Sequence, residues 1–117
     1  MKTILKTSLI AALVLMLSAC QQTKMKKYLV LYYSQTGATE SVANVIQEYL
    51  GADIEKIDVT EPYSGSFAET IARVQQDNGA IPELVPISSK IEQYDVIFLG
   101  YPIWFGTYAP PIAALLN

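Results

Sequence analysis

The sequence predicts an α/β domain built on a parallel sheet. Strand-like and helix-like segments alternate along the chain, the order that produces right-handed crossovers between parallel strands. Two strand-like runs, residues 29–33 and 94–100, are almost continuously apolar, as strands buried on both faces are. Each of these runs breaks off into a loop with functional side chains. In open parallel sheets, ligands bind beyond the strand C-termini.

At 117 residues the chain is long enough for one domain. Its 51% hydrophobic content predicts a packed core rather than disorder. With no histidine present, His-based triads, His general bases and His metal ligands are all excluded. The single cysteine, Cys20, rules out an intramolecular disulfide and a CxxC metal site. The net charge of −3 hides an asymmetry. Lys2, Lys6, Lys24, Lys26 and Lys27 all precede Tyr28, leaving only Lys56, Arg73 and Lys90 to oppose all eleven acidic residues. The globular part is therefore strongly acidic, a surface that repels nucleic acid and favours a basic protein partner.

Residues 1–20 read as a secretory signal. Lys2 and Lys6 form a positive n-region, and the apolar stretch from Leu9 to Leu17 is shorter than the roughly 20 residues needed to span a bilayer. Leu17-Ser18-Ala19-Cys20 resembles a bacterial lipobox, which implies lipidation of Cys20 and an anchor in the cell envelope on the periplasmic side. An ordinary signal peptide with an incidental Cys20 and an uncleaved anchor are the alternatives. Gln21, rather than aspartate, follows the cysteine and leans the expectation toward the outer membrane. Residues 21–27 are short, polar and basic and read as a tether whose lysines can sit near anionic headgroups.

The domain proper begins at Tyr28 with the first apolar strand. Residues 34–39 form a loop, and a helix follows over about residues 40–50. Val42, Val45, Ile46, Tyr49 and Leu50 fall at the spacing of one buried stripe, and Gly51 is placed to stop the helix. Residues 53–59 alternate, with Ile54, Ile57 and Val59 apolar, and read as a second, more exposed strand. Pro62 and Gly65 mark a turn-rich loop. A second helix starts at Gly65 or Ser66, carries Phe67, Ile71 and Val74 on one face, and ends before Asn78-Gly79. Residues 80–90, with Pro82 and Pro86, are irregular and cross a sheet edge. The third strand is residues 94–100. After the loop 101–107, a third helical pattern runs over residues 108–116, with Pro110 and Pro111 in its first turn and Ile112, Leu115 and Leu116 on its buried face.

Chemistry concentrates in the two loops. In Ser34-Gln35-Thr36-Gly37-Ala38-Thr39, three hydroxyls surround a glycine at a helix N-terminus. The free amides of the first turn and the helix dipole together make an anion site that needs no cation. Without a lysine in the loop, this is not a Walker A motif. Read alone, the loop is either an anion site or a plain helix cap using Thr36 or Thr39. In the second loop, Tyr101, Trp104 and Phe105 are accompanied by Pro102, Ile103 and Gly106. Three large rings in a loop suit a flat aromatic ligand, although Tyr101 or Phe105 could instead cap the core edge.

Together the motifs resemble the flavodoxin family. YYSQTGATESVA is similar to its phosphate loop, S/T-x-T-G-x-T, and YDVIFLGYPIWFGT to its third strand and tryptophan-bearing flavin loop. The resemblance runs from about Tyr28 to the end. It implies a flavodoxin-like doubly wound parallel sheet and FMN as the cofactor. Flavodoxin is itself the standard example of strand order 2-1-3-4-5 with FMN at the β1/β3 switch point. By the resemblance, Ser34, Thr36, Gly37 and Thr39, with the amides of Gln35 and Ala38, hold the FMN phosphate. Tyr101, Pro102, Ile103, Trp104 and Gly106 line the flavin ring, with Trp104 the foremost stacker and Phe105 either a ligand contact or a core cap. No residue is assigned a catalytic or metal-binding role.

Five strands are expected of the family, and this chain carries three, in order 2-1-3. Residues 28–117 therefore read as the N-terminal part of a flavodoxin-like domain in a truncated version of a longer protein. The resemblance implies an FMN-binding redox protein that transfers electrons at a bacterial membrane. The alternatives are an FMN-dependent NAD(P)H or quinone oxidoreductase and a non-catalytic lipoprotein that no longer holds FMN.

Overall fold

A computed structural model describes residues 24–64 and 67–117. The signal-like segment, Cys20, the first residues of the tether and the expected helix start at Gly65 or Ser66 lie outside the described residues. Among the described residues, no helix is long and apolar enough to cross a membrane.

The element order is β1 (Tyr28–Tyr32), α1 (Ala38–Leu50), β2 (Asp53–Lys56), α2 (Ala68–Asp77), a 3-10 turn (Ile91–Gln93), β3 (Val96–Gly100), β4 (Ile103–Trp104), β5 (Thr107–Tyr108) and α3 (Pro110–Leu116). The first three strands form a parallel sheet in the order β2-β1-β3. In register, Tyr32 pairs with Lys56 on one side and Gly100 on the other, so all three strands end at the same height. This is the predicted α/β architecture with its 2-1-3 order.

β1 is the centre, and its side chains serve both faces. Leu29, Leu31 and Tyr33 point into one core with Ile57, Tyr63, Ala68, Ala72, Trp104, Ala109 and Ile112. Val30 and Tyr32 point into a second core with Ala43 and Ala52, flanked by Ile46, Leu50, Ile54 and Phe98. The alternation of a strand sends successive residues to opposite faces, so a strand covered on both must be apolar throughout. α1 covers one face, and α2 and α3 the other.

The helices meet the sheet differently from the expected stripes. On α1, Val42, Val45 and Tyr49 are exposed, while Ala43, Ile46 and Leu50 face the sheet. On α2 and at its N-cap, Phe67, Ile71 and Val74 are exposed, and the buried residues are Ala68 and Ala72. The reason on α2 is steric. The rings of Tyr63 and Trp104 fill the space above the sheet, so only the smallest side chains of the helix fit against them. Spacing alone favoured the larger apolar residues.

The second strand is shorter than predicted. Regular pairing ends at Lys56, although the Ile57 amide still donates to the Tyr32 carbonyl at 2.6 Å. Beyond it the chain turns to pair with the irregular 80–90 segment. Val59 bridges Leu84 antiparallel, the Thr60 amide donates to the Glu83 carbonyl (2.9 Å), and the Val85 amide donates to the Asp58 carbonyl (2.8 Å). That segment covers the β2 edge, as its prolines suggested. It is pinned further along where Glu55 accepts hydrogen bonds from the Ser88 and Ser89 amides and the Ser88 hydroxyl. At the other side of the sheet, the amide of the tether residue Lys27 donates to Asp95 at 2.7 Å, just before β3.

Candidate functional site

The 34–39 loop takes its shape from Ser34 and Gly37. Gly37 sits at φ 97°, left-handed backbone that glycine adopts without Cβ strain. Ser34 is buried, and its Oγ accepts hydrogen bonds from the Gly37 amide (3.1 Å) and the Glu40 amide (3.2 Å). The helix is therefore braced by Ser34. Neither Thr36 nor Thr39 caps it. Among the described residues, the amides of Gln35, Thr36, Ala38 and Thr39 have no hydrogen-bond partner, nor do the hydroxyls of Thr36 and Thr39. They surround the N-terminus of a 13-residue helix. Unpaired donors and a positive dipole end are what an anion requires.

Gln35 has a second role that its place in the loop did not signal. Its side-chain oxygen accepts from the Tyr33 hydroxyl at 2.6 Å, and its side-chain amide donates to the Tyr63 carbonyl at 3.0 Å. It ties the anion loop to the segment after β2. Tyr63 donates in turn to Gln75 on α2. Burial raises the pKa of Tyr33, with Tyr63 and Asp58 adding to it, and burial raises that of Tyr63. The Tyr32 hydroxyl donates to Glu40 at 3.3 Å, and burial followed by the Glu40 charge raises its pKa.

The sheet brings the second loop beside the first. The Tyr33 amide donates to the Gly100 carbonyl at 2.9 Å, so residues 34 and 101 leave adjacent strands at one level. Residues 101–107 are not an irregular loop. β4 and β5 form a small antiparallel hairpin, pairing Ile103 with Tyr108 and Trp104 with Thr107. Its turn is Phe105-Gly106, at φ 52° and 82°. Two successive positive φ values mark a tight two-residue hairpin turn whose twist matches that of its strands. The first position normally suits asparagine or glycine, and a bulky residue there costs about 1–2 kcal/mol. The hairpin is tied to α3 through the Ala109 amide, which donates to the Pro102 carbonyl at 3.2 Å.

Alternation in this hairpin sorts the rings. Trp104 points inward and is 7% exposed, packed edge-to-face against Tyr33 (centroids 6.0 Å apart) and Tyr63 (5.6 Å). Tyr101, Ile103, Phe105 and Tyr108 are on the outside, and Tyr101 meets Tyr108 edge-on at 6.2 Å. The structure thus places Trp104 in the core as the support of the hairpin and leaves Tyr101, Ile103 and Phe105 open to a ligand. Pro102 is half-buried between them, and Gly106 is exposed.

Between the two loops lies an open hollow of about 430 Å³ lined by Ala38, Thr39, Val42, Leu99, Gly100 and Tyr101. Its volume is within the range of small-molecule sites. Three of these residues, Val42, Leu99 and Gly100, were not among the expected site residues. Val42 carries a signal in the sequence, an apolar residue one turn into a helix that opens an anion site, and its spacing alone assigns it to the buried stripe instead. Among the described residues, no group of three acidic or cysteine side chains is placed to hold a metal.

The flavodoxin family model matches residues 27–117. An NAD(P)H dehydrogenase (quinone) of Azorhizobium caulinodans is 35% identical over 98 residues, covering 80% of this chain and 46% of that protein. A second protein of that name, from Gluconacetobacter diazotrophicus, is 33% identical over 97 residues, covering 77% and 45%. The chain spans about half the length of these curated relatives. A solved flavoprotein from Lactobacillus acidophilus, in complex with FMN, superposes with a TM-score of 0.70 at 33% identity, covering 79% of this chain and 65% of its own. A solved protein from Bacteroides eggerthii superposes at 0.68 with 30% identity, covering 77% and 60%.

Proposed function

This chain belongs to the flavodoxin family, and from that premise we propose that it binds FMN between the 34–39 loop and the 101–107 hairpin and works as a redox protein. The observation that carries the proposal is the juxtaposition of unpaired helix-end amides and outward-facing aromatics at the ends of adjacent parallel strands, joined by the Tyr33–Gly100 hydrogen bond. The residues present fit the cofactor. The amides of Gln35, Thr36, Ala38 and Thr39 and the Thr36 and Thr39 hydroxyls would hold its phosphate, with Ser34 bracing the loop. Gly100, Tyr101, Ile103, Phe105 and Gly106 would border its ring, with Trp104 beneath them.

FMN, when bound, supplies the electron-transfer chemistry. The chain's own residues bind, orient and tune. Unpaired amides neutralise the phosphate without a lysine. The outward rings exclude water from one side of the ring. The excess of acidic side chains disfavours added negative charge nearby and favours docking of a basic partner. Titrating FMN with the full chain should quench flavin fluorescence in a saturable way, and fluorescence unchanged by excess protein would overturn the proposal.

The two curated relatives favour a second reading of the same site, an NAD(P)H-dependent reduction of quinones. Oxidation of NADH or NADPH by the FMN-loaded chain, dependent on an added quinone, supports it; a loaded chain that accepts electrons only from a protein donor supports the carrier. We further propose attachment to the cell envelope through a lipid on Cys20, on the strength of Leu17-Ser18-Ala19-Cys20. Incorporation of labelled palmitate that Cys20→Ser abolishes is the expected result.

A further inference from the structure

We propose that Arg73 is a positioning residue for the FMN-site hairpin: its guanidinium, set over the ring of Phe105, holds the strained Phe105-Gly106 turn against α2. The proposal's bearing on FMN rests on the reading above, while its structural part does not.

Phe105 is a poor choice for its backbone. It is the only residue other than glycine with a positive φ among those described, at 52°, and it opens a two-residue turn. Its ring is half-exposed, so burial in the core does not hold it there. What meets the ring is the guanidinium of Arg73, 5.1 Å from the centroid. A planar cation on a ring face is a directional contact, and arginine suits it better than lysine because its flat group stacks as well as attracts. The partner residue comes from a rigid element. Arg73 lies in the middle of α2, beside the buried Ala72, and its Nε also reaches Asp77 one turn later at 3.4 Å. Asp77 thus shares the guanidinium with Phe105 through an exposed contact that the stacking does not require.

Geometry makes this contact matter to the site. Phe105 and Gly106 are the tip of the hairpin whose inner side is Trp104 and whose outer side carries Ile103 and Tyr108. Trp104, paired with Thr107 directly beside the turn, anchors the hairpin from below, while the turn residues Phe105 and Gly106 themselves are exposed. Arg73 supplies the second point of attachment. Of the three basic residues after Tyr28, it is the one placed on this loop.

The test uses the full chain, four single variants and one double variant. Without FMN, Arg73→Met is expected to speed amide hydrogen exchange at Thr107, which pairs with Trp104 across the turn, about three- to tenfold, with the β1 amides unchanged. The ring-current displacement of the Arg73 side-chain proton signals should vanish in Phe105→Leu. With FMN, Arg73→Met should weaken binding three- to tenfold, Arg73→Lys should recover part of the loss, and Arg73→Met should add nothing in the Phe105→Leu background. Asp77→Ala breaks the ion pair within α2 and keeps the guanidinium, so it should have less than half the effect of Arg73→Met. Unchanged exchange in Arg73→Met would overturn the proposal, as would an Asp77→Ala effect equal to that of Arg73→Met. So would faster exchange with FMN affinity unaltered. If the unaltered chain binds no FMN while Arg73→Met still accelerates exchange at the tip, the clamp stands and the FMN reading falls.

Discussion

Gly100 stands so close to Thr39 that even a methyl group there would crowd it. A Cβ on Gly100 would lie 3.2 Å from Thr39 Cγ2 and 3.2 Å from Tyr32 Cβ. The end of β3 and the first turn of α1 are thus in direct contact, and Thr39 is held at the mouth of the hollow. Gly100→Ala should displace Thr39 and cost about 1–3 kcal/mol, the usual range for overpacking. Urea denaturation reads the stability, and an FMN titration reads the site. Both should weaken together, and a variant equal to the parent in both would show that Thr39 can move aside without consequence.

Trp104→Ala should unfold more than it unbinds. The indole is buried between Tyr33 and Tyr63 and rests above Ala68 and Ala72. Truncating a buried tryptophan costs about 3–5 kcal/mol, a large share of a small domain's stability. Tyr101→Ala removes an exposed ring beside the hollow and should leave the thermal midpoint nearly unchanged while weakening FMN. The pair of melting curves and titrations separates support from contact. Equal thermal midpoints for the two variants would contradict the inward placement of Trp104.

Much of this arrangement was legible in the sequence. The continuous apolar run of β1 announced a strand covered on both faces, Gly37 and Gly51 fall where left-handed backbone is needed, and the two motif loops sit at adjacent strand ends. Other features were not legible, for physical reasons. Spacing cannot tell Ala72 from Ile71 as the buried residue when aromatic rings from distant segments have already filled the space. The hairpin is not legible because Phe-Gly lacks the Asn-Gly or Gly-Gly signature of a two-residue turn, and the Phe105 ring meets Arg73, far away in sequence. Gln35 looked like a loop donor, and its link between Tyr33 and Tyr63 depends on the tertiary fold.

Alkali should destabilise the domain through its buried phenols. Tyr33 is held above its ordinary pKa of 10.0 by burial, then by Tyr63 and Asp58, and Tyr63 is raised by burial. A raised folded-state pKa means that the unfolded chain ionises first. The stabilisation from the neutral phenols is complete below pH 10.0 and declines as pH rises past it. Urea midpoints should therefore fall above that pH, and tyrosinate absorbance should develop in step with unfolding for these residues. Tyr33→Phe should flatten the decline. A Tyr33→Phe profile as steep as the parent's would count against the assignment.

Acid should loosen the opposite edge of the sheet. Burial pushes the Glu55 pKa up, but hydrogen bonds from Ser89 and Ser88 outweigh it and hold the carboxyl below its ordinary 4.5. The unfolded chain therefore takes up the proton first as pH falls. The stabilisation is complete above pH 4.5 and is lost below it, as the folded-state pKa is passed. Amide protection factors at Ser88 and Ser89, taken relative to the intrinsic exchange rate at each pH, should fall in that window. In Glu55→Gln the protection factors should be low already at neutral pH and should not change with acid; protection that still falls with acid in that variant would place the titrating group elsewhere.

Ser34 and Thr36 look alike in the phosphate loop and should behave differently. Ser34 Oγ accepts from two amides at the start of α1, so Ser34→Ala removes a cap and leaves both donors without that partner. The cost should be about 1–2 kcal/mol of stability, with FMN lost as a consequence of a loosened loop. Thr36 is exposed, and its hydroxyl has no partner among the described residues. Thr36→Ala should leave thermal stability within about 0.5 kcal/mol, as surface substitutions do. If its hydroxyl donates to the FMN phosphate, losing a hydrogen bond to a charged group should weaken binding by about 1.5–3 kcal/mol, roughly ten- to a hundredfold. Calorimetric melting without cofactor and FMN titration with it resolve the two residues. Equal FMN affinity in Thr36→Ala and the parent would remove Thr36 from the phosphate site, leaving the amides as its donors.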